Sequence, residues 1–282
     1  MLYVNSNGEI LENEGPTIKT GNRSYLYGDG VFESIRIVNG KPINLENHIV
    51  RMLEGAKRIK MRPPSFFNLA FFEEKINELI EKSSIVGGGK CRLSLDRSSG
   101  GTFSPDSNEV EYFIEVYPMD NNKFELNPKG IEIDLYMDLK KDKTSLSNFK
   151  TKNGLIYIMA AITAKEKGLD DYLISNNTGG ILEATSSNLF VVSNGVLYTP
   201  GLEEGCLAGT MRMQVINLAL ANGIKVYECN IMPQNLLVAD EIFLTNAING
   251  IHWVSGYRTK RYFNNTSKKL VELLNVVWLT KT

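Results

Sequence analysis

Lysine 150 stands in Asn148-Phe149-Lys150-Thr151-Lys152-Asn153-Gly154, directly ahead of an apolar run from Leu155 to Gly168. A lysine held between polar segments at the mouth of a buried helix can store a carbonyl compound as a Schiff base. Lys152 offers the same amine two residues later, and the physics of the stretch alone does not separate the two. Most lysines are solvated, because a buried ammonium loses hydration that is hard to replace. Three further groups could act with such an amine: Arg51 on a helix, Glu183 on a strand, and the start of a helix at Thr210 and Met211. There, unpaired backbone N–H groups and the positive end of the helix dipole would favour an anion.

Other chemistries are disfavoured. The three cysteines, Cys91, Cys206 and Cys229, are far apart, and His48 and His252 are the only histidines. Neither a metal site nor a disulfide framework is expected. Lys and Arg number 31 against 32 Asp and Glu, so no net field draws the chain to nucleic acid or to an anionic membrane. The opening Met1-Leu2-Tyr3-Val4-Asn5 leads into no apolar signal region, and no stretch is long and apolar enough to span a bilayer. A soluble cytoplasmic protein acting on a small molecule is expected.

The elements that must carry these residues can be read in order. Ser6-Asn7-Gly8 closes an opening hairpin. Arg23 to Arg36 passes a glycine-flanked turn into a strand. Residues 45 to 61 form a helix with Ile49, Met52, Leu53, Ala56 and Ile59 on its apolar stripe. His48, Arg51, Gly55 and Arg58 lie on a different face, either solvated or turned inward to bind an anion. A second helix runs from Ser65 to Ser83. Gly87-Gly88-Gly89-Lys90 lacks phosphate-loop spacing and is a connection. Strands Lys90 to Asp96 and Val110 to Tyr117 bracket a loop, and Pro118 to Lys123 is the linker between domains 1–119 and 120–282. The second domain is expected to hold strand Ile131 to Leu139, a charged loop at Lys140-Lys141-Asp142-Lys143, helix 154 to 168 and strand Tyr172 to Ser175. There follow a single strand Ile181 to Val192, its return Val196 to Thr199, helix 209 to 222, strands Lys225 to Cys229 and Glu241 to Thr245, a hairpin from Val254 to Phe263 and a helix from Ser267. Strands and helices mix without strict alternation, so the fold class is mixed α+β or α/β.

Six segments, in order, resemble one family: Tyr27-Gly28-Asp29-Gly30-Val31-Phe32-Glu33, His48-Ile49-Val50-Arg51, Lys150-Thr151-Lys152-Asn153, Leu182 to Phe190, Gly209-Thr210-Met211-Arg212 and Ala239 to Ala247. Together they are similar to the class IV aminotransferases, pyridoxal 5′-phosphate enzymes of fold type IV, over nearly the whole chain. The resemblance implies a two-domain fold and assigns the Schiff base and the proton shuttle to Lys150, by its Lys-x-x-Asn spacing. Lys152 does not fit that spacing and is expected at the surface. By the same resemblance Glu183 pairs with the cofactor's pyridine nitrogen and Arg51 binds its phosphate. Thr210 and Met211 form the phosphate cup, which Asn246 and Ala247 close. Met211 and Ala247 stand where some relatives carry hydroxyls, so fewer side-chain contacts to phosphate are expected.

Within the family, Thr102-Phe103-Ser104 stands where D-amino-acid aminotransferases carry Arg-x-His, which disfavours that activity. Asn246-Ala247-Ile248 and Arg97-Ser98-Ser99-Gly100-Gly101 are more like aminodeoxychorismate lyases, which release 4-aminobenzoate and pyruvate for folate synthesis. A branched-chain type transaminase using 2-oxoglutarate is the alternative, and a non-catalytic binding protein is disfavoured by the joint presence of Lys150, Glu183 and Arg51. Arg92 is either a binder of substrate carboxylate or an ordinary strand-edge charge. The resemblance implies a homodimer.

Overall fold

Asn7 and Gly8 both take positive φ, 53° and 96°, the geometry that twists a two-residue turn to match its strands. β1 (Tyr3–Ser6) therefore folds straight back onto β2 (Glu9–Glu12). The structure is a computed structural model that describes residues 2–15 and 18–279. It divides into two units: residues up to Lys123 with Phe149–Asn153 and the end of the last helix, and Phe124–Asn148 with Gly154–Val277.

In the first unit a short helix α1 (Arg23–Tyr27) is capped by Asn22, whose side chain accepts from Tyr25 N, and is stopped by Gly28 at φ 65°. A left-handed residue at that position reverses the chain into the sheet, and glycine takes it without steric cost. β3 (Gly30–Val38), β4 (Lys41–Pro42), α2 (Leu45–Arg58), α3 (Leu69–Lys82), β5 (Gly89–Arg97) and β6 (Val110–Pro118) follow. The strands form an antiparallel sheet ordered β2-β1-β6-β5-β3-β4. Met52 and Ala56 of α2 and Phe72, Ile76 and Leu79 of α3 bury against Ile35, Ile37, Leu93 and Ile114. α3 begins four residues later than expected because Asn68 caps it, accepting from Phe71 N at 3.0 Å. The supposed linker is fastened down: the Arg36 guanidinium bonds the carbonyl and side-chain oxygens of Asn121.

The second unit contains β7 (Ile131–Leu135), α4 (Leu155–Glu166), β8 (Asp171–Ser175), β9 (Ile181–Ala184), β10 (Asn188–Ser193), β11 (Val196–Pro200), α5 (Thr210–Ala221), β12 (Val226–Cys229), α6 (Pro233–Val238), β13 (Glu241–Asn246), β14 (Gly250–Tyr257), β15 (Lys260–Arg261) and most of α7 (Asn265–Leu279). β10, β13, β14, β7, β8 and β9 pair in that order, and β9 pairs back to β10 at Glu183 and Asn188, so six strands close a ring. β11 and β12 extend from β10. Ile133, Leu173, Leu189, Leu244 and Val254 belong to its core.

The expected single strand from Ile181 to Val192 is two strands. Ala184 N bonds Ser187 O at 2.7 Å, and the hydroxyl and N–H of Thr185 both donate to Asp171 Oδ1. That reversal sets Glu183 directly across from Asn188. The strand expected to reach Leu139 ends at Leu135. α6, which the sequence reading lacked, is six residues opened by Pro233 and Asn235, too short for an apolar period to show. Among the described residues no helix is long and apolar enough to cross a membrane.

Candidate active site

In the first unit, Phe149–Asn153 lies along the first half of β3, with Phe32 N bonded to Lys150 O and Lys152 N to Gly30 O, each at 3.0 Å. Lys150 is therefore held through its backbone, and its side chain projects over Phe32, Nζ lying 4.5 Å from the ring centroid. Arg92 reaches the same ring, its guanidinium carbon 4.0 Å from the centroid. β5 is flanked by β3 and β6, so Arg92 stands inside the sheet and not on an edge strand; its side chain is 42% exposed and its Nε lies 4.0 Å from Glu115 Oε2. Two cations thus contact the one Phe32 ring, each by a cation–π approach.

Lys152 is not at the surface. Its Nζ donates to Ser24 Oγ at 2.8 Å and to Asp96 Oδ1, and the Asp96 side chain is wholly buried. Asn22 Nδ2 donates to the second carboxylate oxygen of Asp96 at 3.2 Å. Burial draws the Lys152 ammonium below the ordinary lysine range, with Asp96 pulling the other way. Alternation puts Lys150 and Lys152 on one side of their segment, and the difference comes from Gly30, which leaves room for the Lys152 stem where a Cβ would meet Lys152 Cδ at 3.1 Å.

Arg51 and His48 are likewise turned inward. Arg51 Nε and Nη2 donate to the two oxygens of Glu33 at 2.7 and 2.5 Å, and His48 Nδ1 lies 2.7 Å from Glu33 Oε2. Burial alone would raise the Glu33 pKa, yet the Arg51 and His48 charges hold it at about 2. A depressed folded pKa contributes stability that is complete above the unfolded value near 4.5 and is lost as pH falls toward about 2. Urea midpoints of the parent should therefore drop between those values more steeply than those of Glu33→Gln; parallel curves would deny the ion pair.

The loop after β5 is pinned by its arginines. Arg97 donates to Asp29, Asn108 and Ile59 O, while Arg23 donates to Asp29 and to the carbonyls of Gly100 and Thr102. Arg97 is a buried strut.

In the second unit Glu183 is 3% exposed. Its Oε1 accepts from Lys141 Nζ at 2.6 Å and Tyr157 OH at 2.8 Å, and its Oε2 from Leu207 N at 2.8 Å. Burial and the adjacent carboxylate push the Tyr157 phenol up. Glu183, Asn188 and Thr245 form one row across β9, β10 and β13. Asn188 binds Leu207 O and packs on Gly209, where a Cβ would meet Asn188 Oδ1 at 1.9 Å. Only glycine lets the start of α5 come this close to the sheet. Having no side chain, Gly209 does not cap the helix. Thr210 and Met211 are buried in its first turn, and the Thr245 hydroxyl is buried with no partner among the described residues. A buried hydroxyl of this kind, a helix start with no side-chain cap from Gly209 and a buried carboxylate fit the pyridoxal phosphate that the resemblance implies. Asn246 spends its side chain on the turn, donating to Ser187 Oγ and accepting from Ile248 N and Asn249 N; Ala247 lies in that turn.

Lys141, Tyr157 and Leu207 were missed by the sequence reading. Lys141 sits in a run of charges that reads as solvated, and Tyr157 in a helix apolar on all sides. No local signal marks either.

A family model described as amino-transferase class IV matches residues 30–257. The chain is 30% identical to the putative branched-chain-amino-acid aminotransferase of Methanocaldococcus jannaschii, over 86% of this chain and 84% of that one. The branched-chain aminotransferase of Thermoproteus uzoniensis, solved with norvaline, superposes with a TM-score of 0.90 at 26% identity, covering 99% of this chain and 95% of that one. A putative 4-amino-4-deoxychorismate lyase of Legionella pneumophila superposes at 0.85 with 25% identity, over 94% and 96%.

Proposed function

Because this chain belongs to the class IV aminotransferases, which use pyridoxal phosphate, we propose that it is a transaminase of amino acids, with Lys150 as the residue that carries the cofactor covalently and moves the proton at the substrate's amine-bearing carbon. When bound, the cofactor supplies an electron sink for the carbon that loses its proton. Glu183 holds the ring nitrogen. Arg51, the N–H groups at Thr210 and Met211, and the turn at Asn246 and Ala247 hold the phosphate. Arg92 takes a substrate carboxylate. The observation that supports this most is that Lys150 and Arg92 each contact the Phe32 ring: an amine to do chemistry and a guanidinium suited to a carboxylate meet the same side chain.

The lyase is the second reading. Its support is the likeness to the Legionella protein and the sequence Asn246-Ala247-Ile248. The Arg97-Ser98-Ser99-Gly100-Gly101 segment also resembles the lyases, with Arg97 itself bonded to Asp29 and Asn108. A product assay separates the two: the cofactor-loaded protein is given L- and D-amino acids with 2-oxoglutarate and, separately, aminodeoxychorismate generated in place. Glutamate without aminobenzoate supports the transaminase. Aminobenzoate with pyruvate overturns it for the lyase, and a panel answered only by D-amino acids would show that the missing Arg-x-His is no bar.

The protein is proposed to act as a homodimer. α4 exposes Leu155, Ile158, Met159 and Ile162, at 76%, 53%, 44% and 47%. Their spacing makes a single apolar stripe with no cover in one chain. Replacing Ile158 and Ile162 together by Glu should convert the dimer to a species of about 31.6 kDa in light scattering. A dimer that survives the double change would place the interface elsewhere.

A further inference from the structure

A carboxylate has about four in-plane acceptor positions, two on each oxygen. At Glu183 three are filled from within the second unit: Lys141 and Tyr157 on Oε1, the Leu207 N–H on Oε2. One position remains, on Oε2. Lys141 is itself held in place. Its Nζ also donates to Ser147 O at 3.2 Å, its backbone N–H bonds Ser175 O at 3.0 Å, and its ammonium lies 5.7 Å from the Tyr157 ring. With side-chain exposures of 13% for Lys141 and 4% for Glu183, the pair is shielded from water on both sides.

We propose that Lys141 is a positioning residue for Glu183: it supplies the buried counter-charge and, with Tyr157 and Leu207, leaves the carboxylate a single outward acceptor, aimed for the cofactor's ring nitrogen. This rests on the reading of Glu183 given above. Without the ammonium, Glu183 is a buried charge with two neutral donors, and Oε1 has an open position in addition to the one on Oε2. The carboxylate is then free to rotate, and its hold on a ring N–H is shared between two geometries. A charge-assisted hydrogen bond lost at such a point weakens binding by about ten- to a hundredfold.

The test titrates pyridoxal phosphate into the full-length apoprotein, following its absorbance, for the parent, Lys141→Met, Lys141→Arg, Glu183→Gln and the double variant Lys141→Met with Glu183→Gln. Thermal midpoints are recorded on the same proteins without cofactor. Lys141→Met is expected to weaken binding about ten- to a hundredfold, with Lys141→Arg recovering most of it. In the Glu183→Gln background the same change is expected to cost nothing further, because the two residues act as one unit. Its effect on the cofactor-free thermal midpoint should reverse sign: lower in the parent, where it strands a carboxylate, and higher in Glu183→Gln, where it removes a stranded ammonium. Equal losses of affinity in both backgrounds, or a midpoint that falls in both, would overturn the proposal while leaving the reading of Glu183 intact. A parent that takes up no pyridoxal phosphate would overturn both.

Discussion

Lys150→Ala should fold as the parent does and yet hold no cofactor covalently. The bonds that fix this segment to β3 come from the backbone of Lys150 and Lys152, which alanine retains. The side chain contributes a contact with the Phe32 ring, worth about 0.5–2 kcal/mol. The loss of that contact is small against the stability of a domain. The chemical cost is not, since the amine is the proposed attachment point and the proposed proton carrier. Losing a positioned acid–base group alone reduces turnover by about 10²–10⁴-fold, and losing the covalent step adds to that. Borohydride reduction followed by denaturation checks it directly: the parent should keep the cofactor through unfolding, and Lys150→Ala should release it. Cofactor retained by the variant would move the chemistry to another lysine.

Much of the candidate site could be singled out because short local segments carry the family's spacing. Lys150 and Asn153 lie three apart on one segment, and Gly209 with Thr210 announces a helix start. The hairpin at Asn7-Gly8 was legible locally as well, from a turn whose φ values select its residues. The rest depends on partners distant in the chain. Nothing near His48 or Arg51 says that Glu33 lies beneath them, so their stripe reads first as solvated and otherwise as an anion site. Glu183 could be singled out as a candidate, but its donors are 42, 26 and 24 residues away. Such separations carry no period that a window along the chain can detect. The break at Thr185 was hidden because Ser186 and Ser187 continue a strand-like pattern, while the cause of the turn, Asp171, lies on β8.

Lys152 was misplaced for the same reason, and it carries the largest expected effect on stability. Its sequence neighbours are polar; its partner Asp96 is 56 residues away and fully shielded from solvent. Removing one member of a buried ion pair leaves the other charged and without compensation, at a cost of about 3–5 kcal/mol. Lys152→Met should show that loss in urea unfolding, and it should still bind pyridoxal phosphate through Lys150 wherever it remains folded. Asn22 continues to donate to Asp96, which limits the damage without cancelling the charge. Asp96→Asn added to Lys152→Met should then recover part of the stability, because the amide that replaces the carboxylate needs no counter-ion. The two neighbouring lysines thus divide by outcome: alanine at 150 removes the attachment and spares the fold, whereas methionine at 152 weakens the fold and spares the attachment. If Lys152→Met were as stable as the parent, Asp96 would have to be neutral or hydrated in the native protein, and the anchoring of the segment that carries Lys150 would rest on its backbone bonds to β3 alone.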